Sequence, residues 1–255
     1  MTKLLRSALL TSIVPALVLS MYPSALSAQT LTAEQVVDQH LTAVGGREAL
    51  SKITSRKATG TIVISTPGGD LSGPVEMTAK SPNKMRATMH IDLSAVGMPG
   101  EMVIDQMFDG TTGWMVNSMQ GDSQMTGDQL DGAKNAYFPT PLLNYQDTGA
   151  KIALEPNRKV NDRDAFVVVL TPKVGVPSRL FFDTETFMLV RTASKVNTPQ
   201  TGEVEQVGEP TDYRVVDGVK VAFTLYQSAG GQTITMKFSK IENNIAVDDA
   251  VFIKK

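Results

Sequence analysis

From Lys84 to Leu93 the side chains alternate in character without a break. Met85, Ala87, Met89, Ile91 and Leu93 fall on one side; Lys84, Arg86, Thr88, His90 and Asp92 fall on the other. A period of two held over that length demands a strand in a sheet with one apolar face and one wet face. The surrounding stretch, Val75 to Met119 with Met125 just beyond, carries nine of the chain's 13 methionines. Methionine is unbranched and polarizable and repacks around irregular shapes, whereas a core built only for rigid packing favours Leu, Ile and Val. Such a face can serve as ordinary core, as the wall of a cavity for a hydrophobic guest, or as a source of thioether ligands for Cu(I). Copper capture calls for sulfurs close in sequence or converging with histidine. Here they are spread along strands and mostly alternate with polar residues.

The N-terminus reads as an export signal. Lys3 and Arg6 open it, Leu4 to Leu19 is mostly apolar but broken by Pro15, and Ala25-Leu26-Ser27-Ala28 ends it in small residues. That is the layout of a signal peptide over residues 1–28, cleaved near Ala28, and the apolar run is too short for a good membrane span. The expectation is a single domain over 29–255, exported to the periplasm, with no transmembrane segment in the mature chain. The chain contains no cysteine, so it has no disulfide, no thiolate metal site and no lipidation cysteine. Burial alone must hold the domain together, and a chain of about 227 residues is long enough for that. With 24 basic residues against 26 acidic ones the charge is mildly negative, which gives no nucleic-acid footprint.

Along the chain, Leu31 to Val44 reads as a helix. Thr32 is the N-cap and Gln35 completes a capping box. Val36, Val37, His40, Leu41 and Val44 form an apolar stripe at helical spacing, and Gly45-Gly46 ends the helix. Arg47 to Ile53 forms a second helical turn. From Lys57 onward nearly everything reads as strand, with Pro67-Gly68-Gly69, Asp109-Gly110 and Asp217-Gly218 as hairpin turns. The polar segment Gly121 to Gly149 interrupts this rhythm. It holds a short helix over Gly127 to Ala136, then Tyr137-Phe138-Pro139 and Leu142-Leu143. An insertion of this length is a lid, a binding loop or a cover. About ten or eleven strands with short antiparallel links make a sheet that curls or splits. The fold class expected is mostly β: a strongly curved antiparallel sheet, an unclosed β-barrel, with the N-terminal helix and the helical insertion covering its concave side. A two-sheet sandwich is the alternative.

No catalytic signature is present. His40 and His90 lack a partner at metal or triad spacing, and the chain has no G-x-S-x-G, H-E-x-x-H, P-loop or dinucleotide fingerprint. Paired acids such as Asp248-Asp249 and Glu203/Glu205 fit turns and strand edges. No enzyme activity and no cofactor is expected.

Three stretches together resemble one family. They are Ala43-Val44-Gly45-Gly46-Arg47-Glu48-Ala49-Leu50 with Ile53, then Phe108-Asp109-Gly110-Thr111-Thr112-Gly113-Trp114. The third is Phe182-Asp183 with its hairpin, together with Asp212-Tyr213-Arg214-Val215-Val216-Asp217-Gly218-Val219. Their order is similar to that of exported proteins related to the outer-membrane lipoprotein-sorting carriers, the LolA/LolB-like fold. The resemblance implies an unclosed barrel whose mouth is plugged by helices, and an apolar cavity that takes acyl chains. Without a lipidation cysteine, the chain resembles the soluble carrier more than its anchored acceptor. The expected partners are lipid or lipoprotein acyl chains and an envelope protein. The cavity is expected to be lined by Met85, Met89, Ile91, Met102, Ile104 and Trp114. The alternative function is a non-enzymatic envelope-sensing or protein-interaction module on the same scaffold.

Overall fold

A computed structural model describes residues 31–66, 68–198 and 202–255. The segment read as a signal peptide, 1–28, lies outside the described residues. Helix α1 (Ala33–Ala43) opens the domain and α2 (Arg47–Ser51) follows it. The capping box forms as expected: Gln35 N–H donates to Thr32 Oγ1 at 3.3 Å, and Thr32 N–H donates to Gln35 Oε1 at 2.8 Å. The apolar stripe is buried, with Val36, Val37 and Leu41 fully inaccessible. At the end of α1, the Lys220 amide donates to the Val44 carbonyl at 2.8 Å. A Cβ on Gly45 would lie 2.6 Å from the Gly218 carbonyl, so only glycine lets the helix end dock on the hairpin that carries Asp217-Gly218.

Among the described residues the sheet holds 13 strands. The first group is β1 (Ser55–Thr66), β2 (Gly69–Lys80), β3 (Lys84–Asp92), β4 (Glu101–Phe108), β5 (Gly113–Asn117) and β6 (Gly121–Gln124). After helix α3 (Gly127–Asn135) come β7 (Lys151–Val160), β8 (Arg163–Thr171), β9 (Ser178–Asp183) and β10 (Leu189–Thr198). The last three are β11 (Gly202–Val216), β12 (Val219–Ala229) and β13 (Gln232–Asn243). The count exceeds the expected ten or eleven: the polar residues of β6 show no apolar alternation. The polar start of β11 lengthens an expected strand to 15 residues without adding one.

All pairings are antiparallel, in the order β6-β5-β4-β3-β2-β1-β13-β12-β11-β10-β9-β8-β7. The edges β6 and β7 do not pair, so the barrel stays open. Met85 of β3 and Tyr213 of β11 stand five strands apart yet line one cavity. A flat sheet would hold them roughly 24 Å apart, so the sheet curls.

Two-residue turns with both φ values positive join β7 to β8 (Asn161, Asp162), β11 to β12 (Asp217, Gly218) and β12 to β13 (Gly230, Gly231). These are type I′ hairpins, whose twist matches that of the strands. A bulge shifts register between Thr59 and Gly60 of β1 and leaves Ser239 of β13 without a pair. The extra residue keeps Phe238 and Ile241 in one phase, paired with Gly60 and Ala58. A Cβ on Gly60 would meet the Lys237 carbonyl oxygen at 2.1 Å.

Two apolar clusters occupy the inner face. In the first, α1, α2, Leu142 and Leu143 pack on β7 to β10 through Val168, Leu180 and Phe182. In the second, β1 to β4 meet β12 and β13 through Ile62, Val75, Ile91, Phe223 and Met236. On the outer face the C-terminal tail is tied down. Asp249 receives Lys80 and Lys84, Arg86 donates to the Val251 carbonyl, and Phe252 is 1% exposed.

Gly60→Ala should destabilise the domain by about 1–3 kcal/mol, because two backbones must part to admit the methyl group. Urea unfolding measures the loss, and an unchanged midpoint would mean that the bulge relaxes without cost.

Candidate functional site

The pairing register sorts the inner-face residues. Ala58 pairs with Met77 and Ile241, Met85 with Phe108, Met89 with Ile104, and Ile91 with Met102. Cross-strand partners point to the same side of a sheet, so Met85, Met89, Ile91, Met102 and Ile104 share the inner face. They do not all meet in one place. Met85 lines the cavity described below. Met89, Ile91 and Met102 belong to the adjoining second cluster, and Ile104 is half-buried beyond it.

Trp114, expected inside, stands on the outer face. It pairs with Met107, out of phase with Ile104 and Phe108, and Lys254 Nζ lies 4.1 Å from its ring centroid. The cause is the Asp109 turn. Its carboxylate accepts the Thr111 and Thr112 amides at 2.7 Å and so pairs Phe108 with Gly113. Gly113 takes the inner position, and Met125 Sδ lies 2.3 Å from where a Cβ would sit. The methionines are thus divided between the two faces, with Met107 buried on the outer one.

A cavity of about 350 Å³ lies between the inner face and the helical cover. Its floor is Ala58, Met77, Met85, Leu225, Phe238 and Ile241. One wall is the end of α1 and α2, through His40, Val44 and Leu50. The other is Phe138-Pro139-Thr140 from the insertion. Leu189, Pro210 and Tyr213 complete it. The size and the apolar character suit a small-molecule or chain-like guest. Of the six residues expected to line the cavity only Met85 does so. Among the other lining residues, Phe238 falls in the alternation of β13, which the sequence displays, whereas those from the helices, β11 and the insertion carry no such signal.

The polar groups in this lining are few and individually held. The Tyr213 hydroxyl donates to the Leu189 carbonyl at 2.9 Å, and burial pushes its pKa up. His40 Nδ1 lies 2.9 Å from the Phe187 carbonyl. A carbonyl only accepts, so Nδ1 carries the proton. Burial lowers the His40 pKa, partly opposed by that hydrogen bond, and its ring stands 4.8 Å from Phe182. Arg56 Nε donates to Asn243 Oδ1 at 2.8 Å, and the guanidinium carbon lies 5.3 Å from the centroid of Phe138. Burial lowers the Arg56 pKa to about 10, which leaves it cationic at neutral pH. Asp183 of the Phe182-Asp183 motif is a turn anchor. It is 2% exposed and accepts the Thr186 amide and hydroxyl at 2.8 Å. Among the described residues no group of three or more His, Asp or Glu converges as a metal site.

The fold is similar to that of several solved structures. One is a LolA superfamily protein from Nitrosomonas europaea: 14% identity, 88% of this chain and 99% of that one, TM-score 0.55. Another is a domain from Vibrio parahaemolyticus named for outer membrane lipoprotein sorting: 9% identity, 86% and 95% coverage, TM-score 0.55. A third is a DUF1329 family protein from Desulfovibrio piger: 11% identity, 88% and 98% coverage, TM-score 0.56. The fold is LolA-like. At these identities the likeness is one of architecture, and no family model and no curated protein matches the chain. No helix among the described residues of this LolA-like domain is long and apolar enough to cross a membrane.

Two measurements check the site. The folded protein holds His40 below its ordinary value of 6.5, so near and below that pH the unfolded chain binds the extra proton. Stability is then complete above about pH 6.5 and is lost as the pH falls through the folded value. Urea midpoints of the wild type should drop on acidification more steeply than those of His40→Asn, whose amide can keep the bond to Phe187. Parallel curves would refute the assignment. Saturating the cavity should leave Trp114 emission unchanged, since the sheet separates the two; a clear shift would place Trp114 beside the guest.

Proposed function

We propose that the protein is a periplasmic carrier or binding protein for acyl-chain cargo, lipid or lipoprotein, exported after removal of residues 1–28. The observation that carries this reading is the apolar cavity under a cover made of α1, α2 and the insertion. Three further points support it. The fold is shared with a protein of the LolA superfamily and a domain named for lipoprotein sorting. The apolar floor borders the half-buried Met89 and Met102 of the second cluster, flexible side chains that a chain longer than the cavity can displace. The lining offers flexible Met and Leu side chains instead of a polar constellation suited to bond cleavage.

Each methylene transferred from water contributes about 0.8 kcal/mol. Sixteen of them give about 13 kcal/mol, and an immobilisation cost of about 5 kcal/mol leaves about 8 kcal/mol, around the micromolar range. Binding of this kind is strong enough to hold a chain and weak enough to release it. Release leaves an apolar wall that water must not meet, and the Phe138-Pro139-Thr140 segment is placed to fold back over it.

Solvent extraction and native mass spectrometry of the purified protein should show co-purifying lipid. Ala79→Phe, at a half-buried inner position on the cavity wall, should cut uptake of a fluorescent fatty acid about tenfold by occupying methylene space. Its thermal midpoint should hold. Undiminished uptake by the folded variant, with no lipid in the wild type, would reject the carrier.

A further inference from the structure

Seven of the eight arginines among the described residues stand within salt-bridge distance of a carboxylate: Arg47, Arg86, Arg158, Arg163, Arg179, Arg191 and Arg214. Arg56 alone does not. It is also the one placed in the cavity wall, where a buried cation without an anion is costly. Its neighbours in register are Asn243 and Ala79, and it shares the inner phase with Ala58. Only Nε is engaged, by Asn243 Oδ1 at 2.8 Å. The Asn243 amide in turn donates to the Val216 carbonyl at 3.4 Å, which sets the oxygen toward Arg56. The terminal nitrogens Nη1 and Nη2 make no hydrogen bond, and no buried side-chain nitrogen among the described residues lacks a partner. Those two nitrogens are therefore accessible, on a side chain that lines the cavity. A guanidinium with its terminal nitrogens free is a fork shaped for a carboxylate or phosphate.

The rest of the lining agrees in sign. Its charged members are Arg56 and the exposed Lys220 at the rim, and no Asp or Glu contributes to it. The nearest substitute for a counter-ion is the face of Phe138, at 5.3 Å, which is a weak one. Beyond Arg56 the inner face is apolar through Ala58, Met77 and Ile62 toward Met89.

Building on the acyl-chain reading, we infer that Arg56 is the head-group anchor of the cavity. It receives the anionic head, carboxylate or phosphate monoester, of a single-chain amphiphile whose tail runs along the inner face. The cargo class is thereby narrowed from any acyl chain to one ending in an anion. Arg56 selects the head while the methylene contacts supply most of the affinity.

The test is displacement of a neutral fluorescent apolar probe from the full chain by hexadecanoate, hexadecyl phosphate and hexadecanol, which share one tail. The wild type should bind at least one of the anions about tenfold or more tightly than the alcohol, the range of a charge-assisted hydrogen bond. The responding anion distinguishes fatty acid from phosphate head. Arg56→Met, which keeps the apolar stem, should bring the anions down to the affinity of hexadecanol and leave hexadecanol unchanged. Arg56→Lys should keep part of the preference. Equal binding of all three ligands by the wild type overturns the anchor and leaves the carrier reading standing. Loss of the preference in Lys220→Met but not in Arg56→Met also overturns it. Failure of all three to displace the probe removes both readings together. The wild-type comparison decides the matter even where a variant does not fold.

Discussion

The two edge strands are consecutive in the chain but stand at opposite ends of the sheet. The first six strands run outward from β1 to β6, and the last seven run inward from β7 until β13 pairs with β1. The connection between β6 and β7 must therefore travel from one edge to the other, and in a curled sheet it passes across the open side. The cover is thus a requirement of the strand order. Its middle residues show the crossing. Asn83 of the β2–β3 turn donates to the Lys134 carbonyl, Asn135 to the Val174 carbonyl beyond β8, and the Phe138 amide to the Pro82 carbonyl. The edges are kept from closing by their own composition. All four residues of β6 are exposed, and β7 carries Pro156, which has no amide to donate, at its register shift.

This constraint accounts for what was legible in the sequence. Capping residues, I′ turn pairs and alternation are local, so the helix from Leu31, the Asp217-Gly218 hairpin and the inner phase of Met85 to Ile91 could be read residue by residue. Phase across a turn is not local. The Asp109 turn decides whether Gly113 or Trp114 faces inward, and nothing in the alternation of β4 or β5 states the register. Arg56 was hidden for a related reason. Reading the strand from Lys57 cut it off from the alternation that joins it to Ala58. The strand in fact begins at Ser55. Methionine content was a poor guide to the site because Met107 and Met125 serve as packing elsewhere.

The two faces are held by different physics. On the outer face the tail is fixed by charge. Asp249 is held down at about 2 by the hydrogen bonds from Lys80 and Lys84, Arg86 bridges Asp105 and Val251, and Phe252 is buried beneath. On the inner face the part of the cover from Leu142 to Tyr145 is held mainly by apolar contact, with Arg47 to the Leu143 carbonyl at 2.7 Å as a polar tie. Apolar contact has no directional requirement, so a cover held this way can be replaced by a guest of similar character.

Within the cover the attachment is uneven, which indicates which part yields. Leu142, Leu143 and Tyr145 are buried against α1 and belong to the first cluster, so displacing them would expose a core. Helix α3 buries no residue, and Phe138 is only partly buried where it leans over Arg56. The cost of opening therefore falls steeply from Leu142 back toward Gly127. A guest entering beside Phe138 has to displace one aromatic ring and break the few hydrogen bonds that Phe138 and α3 make to Pro82, Asn83 and Val174, and the cluster that holds α1 to the sheet stays intact. The same ring covers the one arginine among the described residues without a carboxylate partner, so opening this part of the cover uncovers the apolar floor and the cationic head site in a single movement.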